Sequence, residues 1–401
     1  MTLTPSARLA FRVLGGLRKG QLRVVWLDGT EHVFSGEEPG PSATLVVRET
    51  AATRRMVMGS GMGFAEGYLD RLWDTPDLVA LLDLMALNMK AKAVKTTRSP
   101  MQPVNTLIHR ARRNTRRGSR KNIHYHYDLG NDFYQLWLDP TLTYSCGLFP
   151  EGGPTRPIPD DPSDMQALER AQRAKWERLL SLLELRSGSR LLEIGCGWGG
   201  FAIHAARTYD CHVTGITLST EQLALATDRV REAGLEGQVD LRLQDYRDVR
   251  EKFDSIASIE MFEAVGEAYW PTYFRSVRDC LSPGGRAALQ VITIDDDRFE
   301  SYRRRADYIQ KYIFPGGLLP SPAAFRHHAE AAGLHMEPPA FFGWSYAATL
   351  SCWLERFDAV SDQVKGLGYD ERFRRMWRYY LAYCIAGFRN GMIDVMQVAL
   401  V

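Results

Sequence analysis

The sequence of 401 residues has no apolar run of about 18 residues, so it predicts no membrane-spanning helix. The chain does not start with a basic segment followed by a long apolar core, so we expect no signal peptide. Its six cysteines are scattered, with no CxxC pair and no Cys/His ligand spacing. This pattern supports neither a disulfide framework nor a metal site, and a reducing cytoplasm is the simplest interpretation.

Acidic residues are absent from residues 90–121, which contain eleven lysines and arginines. The whole chain balances 50 basic against 48 acidic residues, a net charge of +2 that by itself disfavours an anionic partner such as nucleic acid or a membrane surface. Without the segment, however, the chain has 39 basic and 48 acidic residues, which is a net charge of −9. Both a solvated linker and a basic arm that meets an anionic surface fit this segment.

The pattern divides the chain into an N-terminal α+β module at 1–89, the basic linker or arm at 90–121 and a catalytic domain at 122–401. In the module we expect a short amphipathic helix within 1–20 and a hairpin within 22–34, because Asp28-Gly29 joins two β-rich runs. A strand at 43–48 and helices at 63–70 and 77–87 complete the module.

From residue 165 onward, strands and helices alternate. After a helix at 165–184, strands are predicted at 190–194, 212–216, 239–243, 255–259 and 286–292, with helices between them. This order predicts an α/β fold with a doubly wound parallel sheet. Residues 300–340 and 346–392 have a helical pattern and are expected to interrupt or cap the sheet.

A glycine-rich loop, EIGCGWGG at 193–200, lies between a predicted strand and a predicted helix, as in nucleotide-binding folds. A dinucleotide site would read GxGxxG, with an acidic residue about twenty positions later. Here an acid, Glu193, stands two residues before the first glycine, and after the second strand no carboxylate occurs before Glu221. A carboxylate at Glu193 suits the ammonium and sulfonium groups of S-adenosylmethionine. The loop therefore favours that cofactor over NAD.

Asp245 and Tyr246 follow the third predicted strand of the sheet. The carboxylate of Asp245 is suited to accept a hydrogen bond from the adenine amino group, and the ring of Tyr246 is suited to stack beside the adenine. The alternative is that Asp245 only caps the loop.

A series of motifs then resembles the cyclopropane-fatty-acyl-phospholipid synthases and the mycolic acid cyclopropane synthases. In chain order they are HYDLGNDFY (126–134), TYSCG (143–147), LLEIGCGWGG (191–200), GITLS (215–219), LQDYR (243–247), MFEAVG (261–266), QKYIFPGG (310–317) and residues 379–389. The resemblance implies a class I methyltransferase fold, a Rossmann-like doubly wound sheet with helical insertions over a lipid pocket. For S-adenosylmethionine it implies contacts from Tyr144, Ser145, Glu193, Gly195, Gly197, Gly199, Thr217, Gln222, Asp245 and Tyr246.

For catalysis, the resemblance implies a bicarbonate ion beside the substrate alkene, with ligands that match Cys146, Glu263, Ile294 and Tyr346. The family's His ligand is missing, because its His-Thr-Ile turn here begins with Ile292. The neighbouring Phe-Glu-His-Val-Gly pattern has Ala264 in place of its His, so the bicarbonate site lacks one ligand. A displaced base would let the methylated carbocation lose a different proton, giving a methyl-branched or methylene product instead of a ring.

Two further kinds of site candidate are present. Several aromatic side chains could stabilise this carbocation, and one cysteine is a candidate catalytic residue. Tyr308, Tyr312 and Phe314 are either cation-stabilising faces or core aromatics, and Tyr346 is the one we favour. Cys384 falls at a position sometimes regarded as catalytic in the family, although packing in the core is the alternative. Glu263 would hold the anion or act as the base itself if burial raises its pKa.

The leading hypothesis is an S-adenosylmethionine-dependent enzyme that transfers a methyl or methylene group to the double bond of an unsaturated acyl chain of a membrane phospholipid. The alternatives are a small-molecule C-methyltransferase and a catalytically idle lipid- or cofactor-binding protein. We expect a homodimer, no nucleic-acid partner and a cytoplasmic enzyme at the inner face of the cell membrane. There, residues 90–121 would contact anionic lipid.

Overall fold

The structure, a computed structural model, describes residues 5–90, 129–150 and 165–401. The basic segment beyond Lys90 and the start of the motif at 126–134 lie outside these residues. The helices are α1 (Pro5–Leu14), α2 (Ala51–Leu69), α3 (Leu78–Lys90), α4 (Asn131–Gln135), α5 (Met165–Leu183), α6 (Gly200–Tyr209), α7 (Thr220–Glu232), α8 (Trp270–Cys280), α9 (Asp296–Tyr302), α10 (Pro322–Ala331), α11 (Gly343–Ala359), α12 (Ser361–Gly366) and α13 (Glu371–Arg389). The strands are β1 (Lys19–Val25), β2 (Glu31–Ser35), β3 (Glu38–Val47), β4 (Trp73–Asp74), β5 (Arg190–Ile194), β6 (His212–Thr217), β7 (Val239–Leu243), β8 (Phe253–Ile259), β9 (Leu281–Ile294), β10 (Ala340–Phe341) and β11 (Ile393–Leu400).

The N-terminal segment forms a four-stranded sheet in the order β2-β1-β3-β4, with α1, α2 and α3 around it. The predicted hairpin is confirmed, because β1 and β2 pair antiparallel on either side of the turn that contains Gly29 at φ +79°. Helix α1 is held by Phe11, whose ring stacks on Trp26 at a centroid distance of 5.3 Å. The α2 helix is longer than predicted and is kinked at Ser60, where φ is +53°.

The second sheet has seven strands in the order β10-β11-β9-β8-β5-β6-β7. Strands β5 to β9 are parallel to one another, as the alternating pattern predicts, and the buried residues of β5 and β8 place them at its centre. The antiparallel strands β10 and β11 extend the sheet beyond β9 and were not predicted.

Helix α13 connects the two sheets, because α11 packs against one part of it while α2 and α3 pack against another. The buried guanidinium of Arg375 on α13 donates to the backbone oxygens of Tyr68 at 2.7 Å and Trp73 at 3.3 Å. It also lies 3.7 Å above the Tyr68 ring. A second contact joins Glu66 of α2 to the ammonium of Lys311 at 2.6 Å. The N-terminal module is thus held to the larger sheet domain by one buried and one partly buried polar contact. Within the described part of the chain, no helix has the length and apolar content needed to cross a bilayer.

These contacts predict that Arg375→Met destabilises the protein. Methionine keeps the apolar stem but leaves the Tyr68 and Trp73 carbonyls without their charged donor, so the free energy of unfolding should fall by about 2–4 kcal/mol. The matched control is Arg372→Met, because the Arg372 side chain is about half exposed where it pairs with Asp70. Its loss should cost less than about 1 kcal/mol. Urea unfolding curves would show equal losses if the Arg375 contacts contributed nothing.

Candidate active site

The glycine loop joins the carboxyl end of β5 to α6. Gly195, Gly197 and Gly199 all have positive φ angles, of 90°, 51° and 79°. A Cβ atom at Gly195 would lie 2.9 Å from Cγ of Met261, whereas one at Gly197 would meet nothing within 4 Å. The loop therefore requires glycine for its backbone conformation, and at Gly197 it leaves space in which a ligand can approach the backbone.

Glu193 is buried in β5, directly before this loop, and its Oε2 atom has no hydrogen-bond partner among the described residues. Burial raises the pKa of Glu193 to about 8, although the ammonium of Lys175 acts in the opposite direction. A buried carboxylate with an unpartnered oxygen is costly unless a ligand satisfies it. A cationic ligand such as S-adenosylmethionine fits this position, because its positive charge would stabilise the ionised form.

The other predicted cofactor residues lie at the carboxyl ends of the neighbouring strands β6 and β7. The hydroxyl of Thr217 donates to Oε1 of Gln222 at 3.1 Å, and both residues are buried. Asp245 caps a short turn through the backbone N–H of Arg247 and also pairs with its guanidinium at 2.6 Å. The capping role that the sequence left open is therefore present, and the adenine contact of Asp245 and Tyr246 stays a prediction.

Tyr144 and Ser145 approach the sheet from the segment after α4. The hydroxyls of Tyr144 and Tyr380 are 2.8 Å apart. The hydroxyl of Ser145 accepts a hydrogen bond at 2.7 Å from Nζ of Lys175, which is fully buried on α5. Burial lowers the pKa of Lys175 to about 8, while Glu260 and other nearby acids raise it. A single buried ammonium thus lies near several of the carboxylates of the site.

Glu260 follows β8 and brings two of the predicted catalytic residues together. Its Oε1 atom accepts from the backbone N–H of Cys146 at 2.9 Å, and its Oε2 atom accepts from the hydroxyl of Tyr346 at 2.6 Å. Burial raises the pKa of the Cys146 thiol well above its usual range, so this group is a neutral thiol at neutral pH. Cys146 therefore contributes its backbone N–H to the site.

Glu263 lies one turn further along the chain. Its Oε1 atom accepts from the backbone N–H of Ile292 at 2.5 Å, whereas its Oε2 atom has no hydrogen-bond partner among the described residues. Burial raises its pKa to about 8, and the nearby charge of Glu260 acts in the same direction. Glu263 is therefore mostly protonated at neutral pH.

A cavity of about 650 Å³ borders both carboxylates and continues to the N-terminal module. Cys384 of α13 lies in its wall, where burial raises the pKa of the thiol. Tyr308 and Phe314 also line the cavity, but the hydroxyl of Tyr308 is engaged with the Met376 carbonyl at 2.8 Å. The hydroxyl of Tyr312 donates to Glu66 at 2.9 Å, so this ring contributes to the contact between α2 and the sheet domain.

Three polar side chains of this site were not among the predicted residues: Lys175 and Gln290, which are buried, and Glu260, which is partly buried. The sequence carried a signal for Lys175, since Leu168, Gln172, Lys175 and Leu179 share one face of α5 at helical spacing. Glu260 directly precedes the MFEAVG motif at the carboxyl end of a parallel strand, the usual place for catalytic groups. No cluster of three or more potential metal ligands occurs within residues 5–90, 129–150 and 165–401.

The mostly parallel seven-stranded sheet with the glycine loop after its central strand defines a class I S-adenosylmethionine-dependent methyltransferase. A family model for mycolic acid cyclopropane synthetase matches residues 114–398. The chain belongs to this family, and it is an S-adenosylmethionine-dependent methyltransferase.

Individual relatives agree with this assignment. A tuberculostearic acid methyltransferase of Mycobacterium tuberculosis is 39% identical over 382 residues, which cover 95% of this chain and 87% of that relative. The cyclopropane-fatty-acyl-phospholipid synthase of Escherichia coli is 35% identical over 367 residues, which cover 89% of this chain and 87% of that relative. A crystal structure of a mycolic acid cyclopropane synthase complexed with SAH and CTAB superposes with a TM-score of 0.63 at 32% identity, over 70% of this chain and 97% of that one.

A Cβ atom at Gly195 would clash with Met261 and displace the glycine loop, so Gly195→Ala should weaken binding of S-adenosylmethionine by at least ~10-fold, measured by calorimetry. The control is Gly188→Ala, whose φ is also positive at 78° but whose Cβ would meet nothing within 4 Å. Both variants should lose about 1–2 kcal/mol of stability from the left-handed backbone conformation. Equal cofactor affinity in the two variants would contradict a cofactor role for the loop.

Proposed function

We propose that the protein transfers a methyl or methylene group from S-adenosylmethionine to the double bond of an unsaturated fatty acyl chain of a membrane phospholipid. Family membership supports methylation or cyclopropanation of an unsaturated lipid chain. The observation that carries the proposal for this chain is the cavity that runs from Glu260, Glu263 and Tyr346 to the N-terminal module.

The cavity is suited to a long apolar ligand. Its volume of about 650 Å³ is in the range of small-molecule sites, and its wall includes many apolar side chains from α1, α2, α3 and α13. Leu9 and Met89 belong to this wall although 37% and 40% of their surfaces are exposed, so the cavity approaches the surface at the module. Arg298 and Arg305 also border it and would suit an anionic head group.

The chain's own residues bind and position the two reactants and stabilise positive charge. S-Adenosylmethionine, when bound, supplies an electrophilic methyl group. The loop at 193–199 would hold it beside Glu193, while the cavity holds the acyl chain in line with it and excludes water. The carboxylate of Glu260 lies at the cavity wall, where it stabilises the cationic intermediate electrostatically.

A ring-less product is a second candidate, favoured by Ile292. This residue stands where the resemblance places a His, and its backbone N–H is engaged by Glu263. The site therefore holds its proton acceptor differently from a typical cyclopropane synthase. This difference would permit a hydride shift in the carbocation before the proton is lost. A methyl-branched alkene or methylene chain would then form instead of the ring.

Lipid analysis tests the proposal. Expression in a host rich in monounsaturated phospholipids should give fatty acyl chains one CH₂ unit heavier than their parents, detected by gas chromatography–mass spectrometry. Mild hydrogenation before the chromatography separates the products, because a double bond takes up hydrogen more readily than a ring. The Gly195→Ala variant is the control and should give little product.

Each result decides between the hypotheses. A cyclopropane as the sole product contradicts the ring-less candidate. Turnover of a soluble substrate with no lipid product favours a small-molecule methyltransferase, and cofactor binding without any turnover favours the idle binding protein.

We further propose that the enzyme docks at the cytoplasmic face of the cell membrane as a homodimer, with residues 90–121 on anionic lipid and the N-terminal module aiding contact. The charge contrast supports the docking, because the segment carries eleven basic residues and no acid while the remainder has a net charge of −9. A basic residue near an anionic surface contributes about 1 kcal/mol, and salt screens it. The homodimer follows from the resemblance and is tested by light scattering.

Vesicle co-sedimentation tests the docking. Replacing the five arginines within 110–117 by glutamine should weaken binding to vesicles that contain phosphatidylglycerol by at least ~10-fold, and added salt should have the same effect on the unaltered protein. The matched control carries five glutamines at exposed arginines elsewhere, Arg186, Arg207, Arg231, Arg275 and Arg304. Binding that is insensitive to salt, or equal losses in the two variants, would contradict an electrostatic role for the segment.

A further inference from the structure

Glu260 has an unusual backbone conformation. It follows the last residue of β8, and its φ angle of +50° is in the left-handed region that side chains other than glycine, Asn and Asp seldom adopt. Its backbone N–H is engaged by the Gln290 carbonyl at 2.8 Å. A strained conformation of this kind persists only where the surrounding structure enforces it, and such positions are enriched in functional sites.

Three donors from different parts of the chain converge on its carboxylate. Besides the Cys146 N–H and the Tyr346 hydroxyl, Nε2 of Gln290 donates to Oε1 at 2.7 Å. Gln290 is itself held, because its Oε1 atom accepts from Nε2 of Gln397 at 2.9 Å. The carboxylate is thereby fixed at the wall of the cavity. The three donors favour its ionised form.

The adjacent acid differs. Glu263 has one backbone donor on Oε1 and no partner for Oε2 among the described residues, and the proximity of Glu260 disfavours a second negative charge. Of two neighbouring carboxyl groups that share a buried site, the one with more donors keeps the charge. Burial raises the pKa of Glu260 as well, but its three donors and the ammonium of Lys175 act in the opposite direction. Because it has more donors, Glu260 is the anion of the pair, and Glu263 is the neutral acid.

We propose that the carboxylate of Glu260 is the base that accepts the proton lost from the methylated acyl carbocation, so that the reaction needs no bicarbonate. This inference rests on the proposed function. The resemblance assigns Cys146 and Tyr346 to a bicarbonate ion, but here the backbone N–H of the first and the hydroxyl of the second both donate to Glu260. The residues present therefore do not fit a separate bicarbonate ion, because a side-chain carboxylate already engages its donors.

The step balances without any further reactant. The π electrons of the alkene form the new bond to the methyl carbon, the sulfur–carbon bond breaks, and the positive charge moves to the other former alkene carbon. A C–H bond of the new methyl group, or of a carbon next to the cation, then gives its proton to Glu260. The electron pair of a methyl C–H bond closes the ring, whereas that of a neighbouring C–H bond forms a new double bond. Protons beside a carbocation are strongly acidic, so a carboxylate with three hydrogen-bond donors is basic enough to accept one.

The first test removes bicarbonate from the unaltered enzyme. Turnover of vesicles of monounsaturated phosphatidylglycerol and phosphatidylethanolamine is measured in buffer freed of carbon dioxide and again after bicarbonate is restored. We expect rates within about two-fold of each other, because the base belongs to the chain. A loss of ten-fold or more that bicarbonate reverses would overturn the inference and leave the proposed function intact. An absence of lipid turnover in both buffers would refute the proposed function and this inference with it.

The second test compares two isosteric variants. Glu260→Gln should lower turnover by at least ~100-fold, the usual contribution of a positioned base, while the dissociation constant of S-adenosylmethionine stays within about three-fold. Glu263→Gln should lose less, since it replaces a neutral acid by a neutral amide. Glu267→Gln removes a carboxylate that pairs with Arg303 at the surface and should keep normal turnover. A larger loss in Glu263→Gln than in Glu260→Gln would assign the base to Glu263 and overturn the inference.

The third test restores a base from solution. Glu260→Gly removes the carboxylate and suits the positive φ angle, leaving the donors of Cys146, Gln290 and Tyr346 facing an empty space. Added bicarbonate or formate should raise the turnover of this variant at least ~10-fold, which a purely structural role of Glu260 would not produce. Circular dichroism and cofactor binding establish that the variant is folded. A folded variant that no anion rescues would contradict the proposal, and if the variant does not fold, the first test decides.

Discussion

The convergence of three donors on the carboxylate of Glu260 is the constraint on which the catalytic centre depends. It joins the segment at 143–147, strand β9 and helix α11 at the carboxyl end of β8. Without this anion, three buried donors would lose their acceptor: the Cys146 N–H, the Gln290 amide and the Tyr346 hydroxyl. Each unsatisfied donor would lower the stability of the folded protein. The strained backbone at Glu260 is the cost of fixing its charge at the wall of the cavity.

Buried charge links the cofactor site to the catalytic centre. Glu193 on one side and Glu260 on the other both raise the pKa of Lys175, and Glu260 in turn raises the pKa of Glu263. One ammonium does not balance several carboxyl groups in a low-dielectric interior, so the protein holds some of them neutral by raising their pKa values. A site with an excess of acidic groups is complementary to a cationic cofactor and to a cationic intermediate, and complementarity of this kind lowers the barrier without a conventional acid–base pair.

Much of the fold could be predicted from sequence, because its signals are local. The Asp28-Gly29 turn, the strand-helix alternation from residue 165 and the glycine loop were all recovered at nearly their true positions. Strand β11 was missed because its pairing with β9 is antiparallel and joins distant parts of the chain. The site was less predictable. Cys146, Glu263 and Tyr346 were selected by motif. The position of Glu260 at the end of a strand was visible in the sequence, but its contacts with Cys146 and Tyr346 became evident only from hydrogen bonds across long sequence separations.

The position of α1, α2 and α3 along the cavity has a consequence for substitutions in the N-terminal module. The family model begins at residue 114, whereas these helices end before residue 91, so part of the cavity wall lies outside the segment that the family model describes. Under the proposed function, substitutions in the first ninety residues would alter the contacts with the acyl chain and leave the residues around Glu260 unchanged.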